Sequence, residues 1–75
     1  MDKVFKIVSR IFELNIEYLK KEMTPNDIEL WDSIGQLALI NALEEEFHIF
    51  FDIEEIFEII SVESIYEILK RKKAI

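Results

Sequence analysis

The sequence predicts an all-α domain, a small four-helix bundle of three main helices and a short third helix, with a long loop between the first and second. Three observations carry this. Apolar residues recur at helical spacing in separate stretches, nothing alternates polar and apolar as a half-buried strand would, and no internal repeat or low-complexity segment competes. The 75 residues make one domain, 1–75. A chain this short buries only about 60% of its unfolded surface, which argues against a deep catalytic cavity.

The first helix is expected over Asp2 to Leu14. Val4, Ile7, Val8 and Ile11 fall at i, i+3, i+4 and i+7 with Phe5 and Phe12 flanking, and Lys3, Lys6, Arg10 and Glu13 take the other face. A connection follows from Asn15 to Asp32. Its strongest breaker is "MTPND", because proline restricts both its own backbone and that of Thr24 before it. Ile16, Tyr18, Leu19, Ile28, Leu30 and Trp31 are too apolar for a solvated linker, so the loop is expected to lie over the core, and long loops in compact domains are usually functional.

The second helix begins at Ser33, with Ile34, Leu37, Ile40, Leu43 and Phe47 spaced for one buried face. Ser33 and Gln36 match the S-x-x-Q capping box, in which the hydroxyl accepts the third helical N–H and the glutamine reaches back. Asp32 adds negative charge at the positive end of the helix dipole. This leaves Gly35 unexplained. Glycine inside a helix costs about 1 kcal/mol relative to alanine, so one in the first turn suggests that something approaches the backbone there. "HIFFD" ends the helix. Ile53 to Ile59 allows a short third helix around Ile56 and Phe57, and Ser61 caps a fourth lined by Val62, Ile65, Tyr66 and Leu69. The closing "KRKKA" puts cations at the negative end of that dipole. Trp31, Phe47, Phe50, Phe51 and Phe57 are expected mostly in the core.

Composition excludes several functions. No cysteine is present, so disulfides, thiol-ligated metals and thiol redox chemistry of the chain itself are out. No apolar run is long enough to cross a bilayer, and the start lacks the features of a signal peptide, so a cytoplasmic protein without membrane insertion is expected. The net charge is −7. Between Lys21 and Lys70 lie thirteen acids and no Lys or Arg. Such a surface repels nucleic-acid phosphates, favours basic protein partners and opposes self-association, so a monomer is expected.

The stretch "WDSIGQLALINALEEEF" resembles the second helix of acyl carrier proteins, whose Asp-Ser-Leu signature marks the serine that receives 4′-phosphopantetheine. Here the signature reads Asp32-Ser33-Ile34. The likeness extends over essentially the whole chain: "MTPNDIELWDS", "ALEEEF", "FDIEEIF" and "SVESIYEILKRKK" follow the family in order and spacing. The resemblance implies a non-enzymatic carrier. Ser33 would be the attachment point for an arm taken from coenzyme A, with Asp32, Ile34 and Gly35 around it, and the arm would supply the thioester-forming thiol that this chain lacks. It also implies a phosphopantetheinyl transferase and acyl-loading and acyl-processing enzymes with basic docking patches as partners. The implied docking residues are Asp32, Leu37, Ala38, Asn41, Glu44, Glu45 and Ile56, and docking would be fast, weak and salt-sensitive. Ile34 stands where the family usually has leucine, a mild apolar exchange. Ala38 and Asn41 stand where many fatty-acid carriers have an acid and a methionine, and "WDS" resembles stand-alone carriers of specialised pathways.

Other readings are weighed beside this one. A peptidyl or aminoacyl carrier would share the same attachment site. An unmodified acidic interaction module would explain the charge and the helices but would leave the Asp-Ser junction to coincidence. Ser33 and His48 as a catalytic pair would lie at opposite ends of one helix, roughly 20 Å apart at 1.5 Å per residue, too far to touch. Asp27, Glu29 and Asp32 lack the spacing of a calcium-binding EF-hand loop, so no metal is expected. An acyl chain could be held in the apolar space between the second and third helices.

Overall fold

The computed structural model describes residues 2–75, and the side chains of residues 3–75. Its α-helices are α1 (Asp2–Phe12), α2 (Ser33–Phe47), α3 (Ile53–Glu58) and α4 (Val62–Arg71), with one turn of 3₁₀ helix at Ile16–Tyr18 between α1 and α2. No strand occurs among the described residues. The radius of gyration, 11.1 Å, matches the ~11 Å expected of a folded chain this long.

Helix α1 ends at Phe12, short of the expected Leu14, because Glu13 turns into the left-handed region at φ 56°. The Leu14 N–H then donates to the Ser9 carbonyl at 2.9 Å, and the Ser9 hydroxyl donates back to the Leu14 carbonyl. This is a Schellman ending without glycine. It recurs at His48 (φ 55°), where Ile49 N–H donates to Glu44, and at Lys73 (φ 59°), where Ala74 N–H donates to Leu69. None of these turns uses the chain's one glycine, which is why no glycine signalled the helix ends.

Val4, Val8 and Phe12 of α1, Leu39 and Leu43 of α2, and Val62, Ile65, Ile68 and Leu69 of α4 are essentially sealed from solvent. Burying each such side chain contributes up to about 2–3 kcal/mol. The connection between α1 and α2 adds Leu19, Ile28 and Trp31 to this core, while Ile16, Tyr18 and Leu30 stay exposed. Helices α1 and α2 run antiparallel: Phe12 lies against Gly35 at one end, and Lys3 pairs with Glu46 at 3.5 Å at the other.

The buried face of α2 differs from the expected one. Ile40 and Leu43 are inside, but Ile34 is 79% exposed and Leu37 63% exposed, and Leu39 takes the inner position instead. Apolar residues lie nearly all round this helix, so spacing alone does not choose a face. Of the aromatic group, Trp31 and Phe51 are buried and Phe47 partly so, whereas Phe50 and Phe57 are outside.

Helix α3 has no fully buried residue: Ile56 packs half-buried against the core, and polar ties add to this contact. Asp52 and Glu55 form a capping box, Glu55 accepts from Lys72 at 2.9 Å, and Glu58 pairs with Arg71. Lys72 also sits 5.8 Å from the centre of the Phe51 ring. Ties of this kind contribute about 0–1 kcal/mol each, far less than the buried side chains of the other helices. Of the four α-helices with described side chains, α3 is thus the one with the least burial to hold it.

Candidate functional site

The approach to α2 is built by local hydrogen bonds. At "TPND" the Asp27 carboxylate accepts both the N–H and the hydroxyl of Thr24, at 3.0 and 3.2 Å, and the Asp27 N–H donates to the Thr24 carbonyl at 2.8 Å. Asp27 is thus occupied in closing a turn, and no group of metal-binding side chains occurs among the described residues. Beyond it, Ile28 is buried, and Trp31 N–H donates to the Ile28 carbonyl at 3.0 Å. The Trp31 ring stacks on Phe12, centroids 5.3 Å apart, which fixes where the chain arrives at Asp32.

The cap of α2 is Asp32, not Ser33. Asp32 is extended (φ −106°, ψ −164°), its Oδ1 accepts the Gly35 N–H at 2.8 Å and its carbonyl accepts the Gln36 N–H at 2.8 Å. The expected Ser33–Gln36 capping box does not form, because an acceptor one residue earlier already closes the turn. Ser33 is the first helical residue, exposed, and its hydroxyl makes no hydrogen bond with the described residues. The N–H groups of Ser33 and Ile34 likewise have no protein acceptor among the described residues. The start of α2 therefore presents a free hydroxyl, two free N–H groups and the positive end of a dipole to solvent.

Gly35 answers the question of close approach. A Cβ there would lie 2.0 Å from the Leu30 carbonyl oxygen and 3.0 Å from the Phe12 ring. What approaches is the protein's own loop, so this glycine lets the connection fold tightly over the first turn that carries Ser33.

The remaining predicted site residues fall into two groups. Ile34, Leu37, Asn41 and Glu45 are exposed and Ala38 half-buried on α2, the helix that Ser33 begins, and Ile56 is half-buried on α3. Glu44 is half-buried, and one oxygen of its carboxylate accepts the Phe51 N–H at 2.9 Å, which holds the link to α3. Sequence reasoning missed the exposed apolar residues of α3 and beyond: Ile53 (69%), Phe57 (76%) and Ile60 (64%). The signal was available, since "IEEIFEII" carries more apolar residues than a helix of six residues can turn inward.

Charge is also partly neutralised within the chain. Glu46, Glu55 and Glu58 each pair with a cation. The Lys72 ammonium and, after it, the Asp52 N–H hold the Glu55 carboxyl below its ordinary value, and Glu58 raises the Arg71 guanidinium. His48 lies just past the far end of α2 from Ser33. Three surface grooves, of about 390, 280 and 460 Å³, lie elsewhere, and none is lined by both α2 and α3. Among the described residues no helix is long and apolar enough to cross a membrane. Set against known proteins, the chain matches no family model and no curated protein sequence.

Proposed function

We propose that this chain is a discrete acyl carrier protein. Its Ser33 would receive a 4′-phosphopantetheine arm from coenzyme A, and the modified protein would shuttle acyl groups between enzymes of a fatty-acid, polyketide or related pathway. The observation that carries this reading is the state of Ser33: exposed, at the first position of α2, and relieved of capping by Asp32.

The surroundings fit a phosphate ester on that oxygen. The free N–H groups of Ser33 and Ile34 and the dipole of a fifteen-residue helix favour negative charge there. Asp32 keeps its carboxylate engaged with Gly35 N–H, which turns it toward the helix. Ile34 and Leu37 supply apolar contact beside the serine, and Gly35 keeps the loop close. When attached, the arm supplies the thiol for acyl transfer, which a cysteine-free chain cannot provide itself. Part of the proposal is that the protein is a cytoplasmic monomeric bundle that is not an enzyme. Its partners are a phosphopantetheinyl transferase and loading and processing enzymes with basic patches, met by Asp32 and Glu45 among others.

Intact-mass measurement tests this. Incubation with a broadly active phosphopantetheinyl transferase and coenzyme A adds one arm to the wild type and none to Ser33→Ala. A second reading is favoured by the exposure of Ile34, Leu37, Ile53 and Phe57: an unmodified interaction module that binds through this face. A wild type that stays at its original mass selects that module instead.

A further inference from the structure

Gln36 is held at both ends. The Trp31 indole N–H, which can only donate, reaches Gln36 Oε1 at 2.6 Å and so fixes which end of the amide faces it. The amide nitrogen is thereby directed to α3, where it donates to the Ile56 carbonyl at 3.2 Å. That carbonyl has a second lone pair, used by the Ile59 N–H at 3.2 Å. Trp31 is itself immobilised, 4% exposed and stacked on Phe12. A continuous chain of contacts therefore runs from the core through Phe12, Trp31 and Gln36 to α3. Among the described residues, the Gln36–Ile56 bond is the one side-chain hydrogen bond joining α2 to α3.

Helix α3 has no fully buried residue, and Ile56, its half-buried contact with the core, is the residue whose carbonyl this tie holds. Its other side-chain bonds reach α4, through Glu55 to Lys72 and Glu58 to Arg71. Those bonds do not set its distance from Ser33. Exposed apolar residues bracket both ends of the tie along the chain: Ile34 and Leu37 around Gln36 in α2, and Ile53 and Phe57 around Ile56 in α3. Ala38 and Asn41 contribute no charge between them, and one oxygen of the Glu44 carboxylate accepts the Phe51 N–H.

We propose that Gln36 is a positioning residue for modification of Ser33: by tying Trp31 to Ile56 it registers α3 against the first turn of α2, so that the transferase meets Ile34, Leu37, Ile53 and Phe57 as one preassembled face. This rests on the carrier reading. The residue does not touch the reacting atoms. It acts through the placement of α3, which makes its effect one on recognition rather than on the transfer step.

The experiment compares transferase kinetics and α3 amide hydrogen exchange in the wild type and three variants. Gln36→Leu loses both bonds, Gln36→Glu keeps the acceptor for Trp31 but cannot donate to Ile56, and Ile65→Val weakens the core without touching the tie. In both Gln36 variants KM for the carrier rises about 5- to 10-fold with kcat within about twofold, and α3 amides exchange faster, as expected for the loss of one hydrogen bond. Ile65→Val leaves KM unchanged. If Gln36→Leu does not fold, Gln36→Glu, which retains the Trp31 bond, decides the matter. Wild-type KM and wild-type α3 exchange in the Gln36 variants overturn the proposal and leave the carrier reading standing. A wild type that takes no arm overturns the carrier reading, and α3 exchange alone then decides the tie: faster exchange in Gln36→Leu than in Ile65→Val sustains it, and equal exchange removes it.

Discussion

Two helix starts in this chain are spelled alike and built differently. At α4, Ser61 is extended and accepts the Ser64 N–H at 3.1 Å, while Val62 and Glu63 donate their N–H groups to the Met23 and Lys21 carbonyls at 3.0 and 2.8 Å. The Ser64 hydroxyl in turn accepts from the N–H groups of Ile60 and Ser61 and donates to the Ser61 carbonyl. Every free donor of that turn is satisfied, and the loop between α1 and α2 closes over it. At α2 the first two N–H groups and the serine hydroxyl face solvent. One start is finished by the fold. The other is left available for something outside it.

In this chain a serine at a helix boundary caps only where no acceptor stands one residue upstream. Asp32 precedes Ser33 and takes the cap, whereas Ile60 precedes Ser61 and cannot. Gly35→Ala adds a Cβ within 2.0 Å of a backbone oxygen. Overpacking of about 3 kcal/mol then exceeds the ~1 kcal/mol gained in helix propensity. Urea unfolding followed by the fluorescence of Trp31 should show a net loss of about 2 kcal/mol, and a gain would mean that the loop does not crowd the first turn.

The serines themselves come next. Ser61→Ala and Asp32→Ala should each cost about 1 kcal/mol, the usual loss for a helix cap. Ser33→Ala should stay within about 0.5 kcal/mol of wild type, as for an exposed residue with no partner. Equal losses from Ser33→Ala and Ser61→Ala would erase the distinction drawn above.

A smaller effect concerns acid. The folded-state value of Glu55 is depressed below 4.5, so its contribution is fully present above that pH and is lost as pH falls through the lower folded value. Glu55→Gln should flatten the acid limb of the stability curve by about 1 kcal/mol or less, and should speed amide exchange in α3 before that in α1. Smallest of all, Lys3→Ala should change stability by less than about 0.5 kcal/mol, since both partners of its pair with Glu46 are substantially exposed.

Much of the fold was legible. The α1 face is legible because its charged and apolar residues separate cleanly: Val4, Ile7 and Val8 are buried and Ile11 partly so, while Phe12, expected to flank the face, is sealed inside. The α4 face worked for the same reason: Val62, Ile65, Tyr66 and Leu69 are inside. At α2 that separation is missing, and the expected series splits: Ile40 and Leu43 are inside, while Ile34 and Leu37 point outward. Phe57 was assigned to the core because a phenylalanine in a short apolar stretch resembles a buried one. A helix of six residues, held by ion pairs, leaves it outside. At the candidate site, Ser33 and Gly35 drew attention through residue type alone, while the role of Gln36 lay beyond reach because its partner Ile56 is twenty residues away.

The amino-acid sequence alone marks where helices can form, since local spacing, caps and the breaker at Pro25 act over a few residues. It also determined the acidic character of the middle of the chain and the absence of a thiol. Long-range packing sets which side of α2 faces water, the close approach of the Leu30 carbonyl to Gly35, and the exposure of Ser33 with its hydroxyl free. These depend on where a distant segment comes to rest: the burial of Ile28 and Trp31 against Phe12 places the loop, and the loop sets the geometry of the turn that follows it.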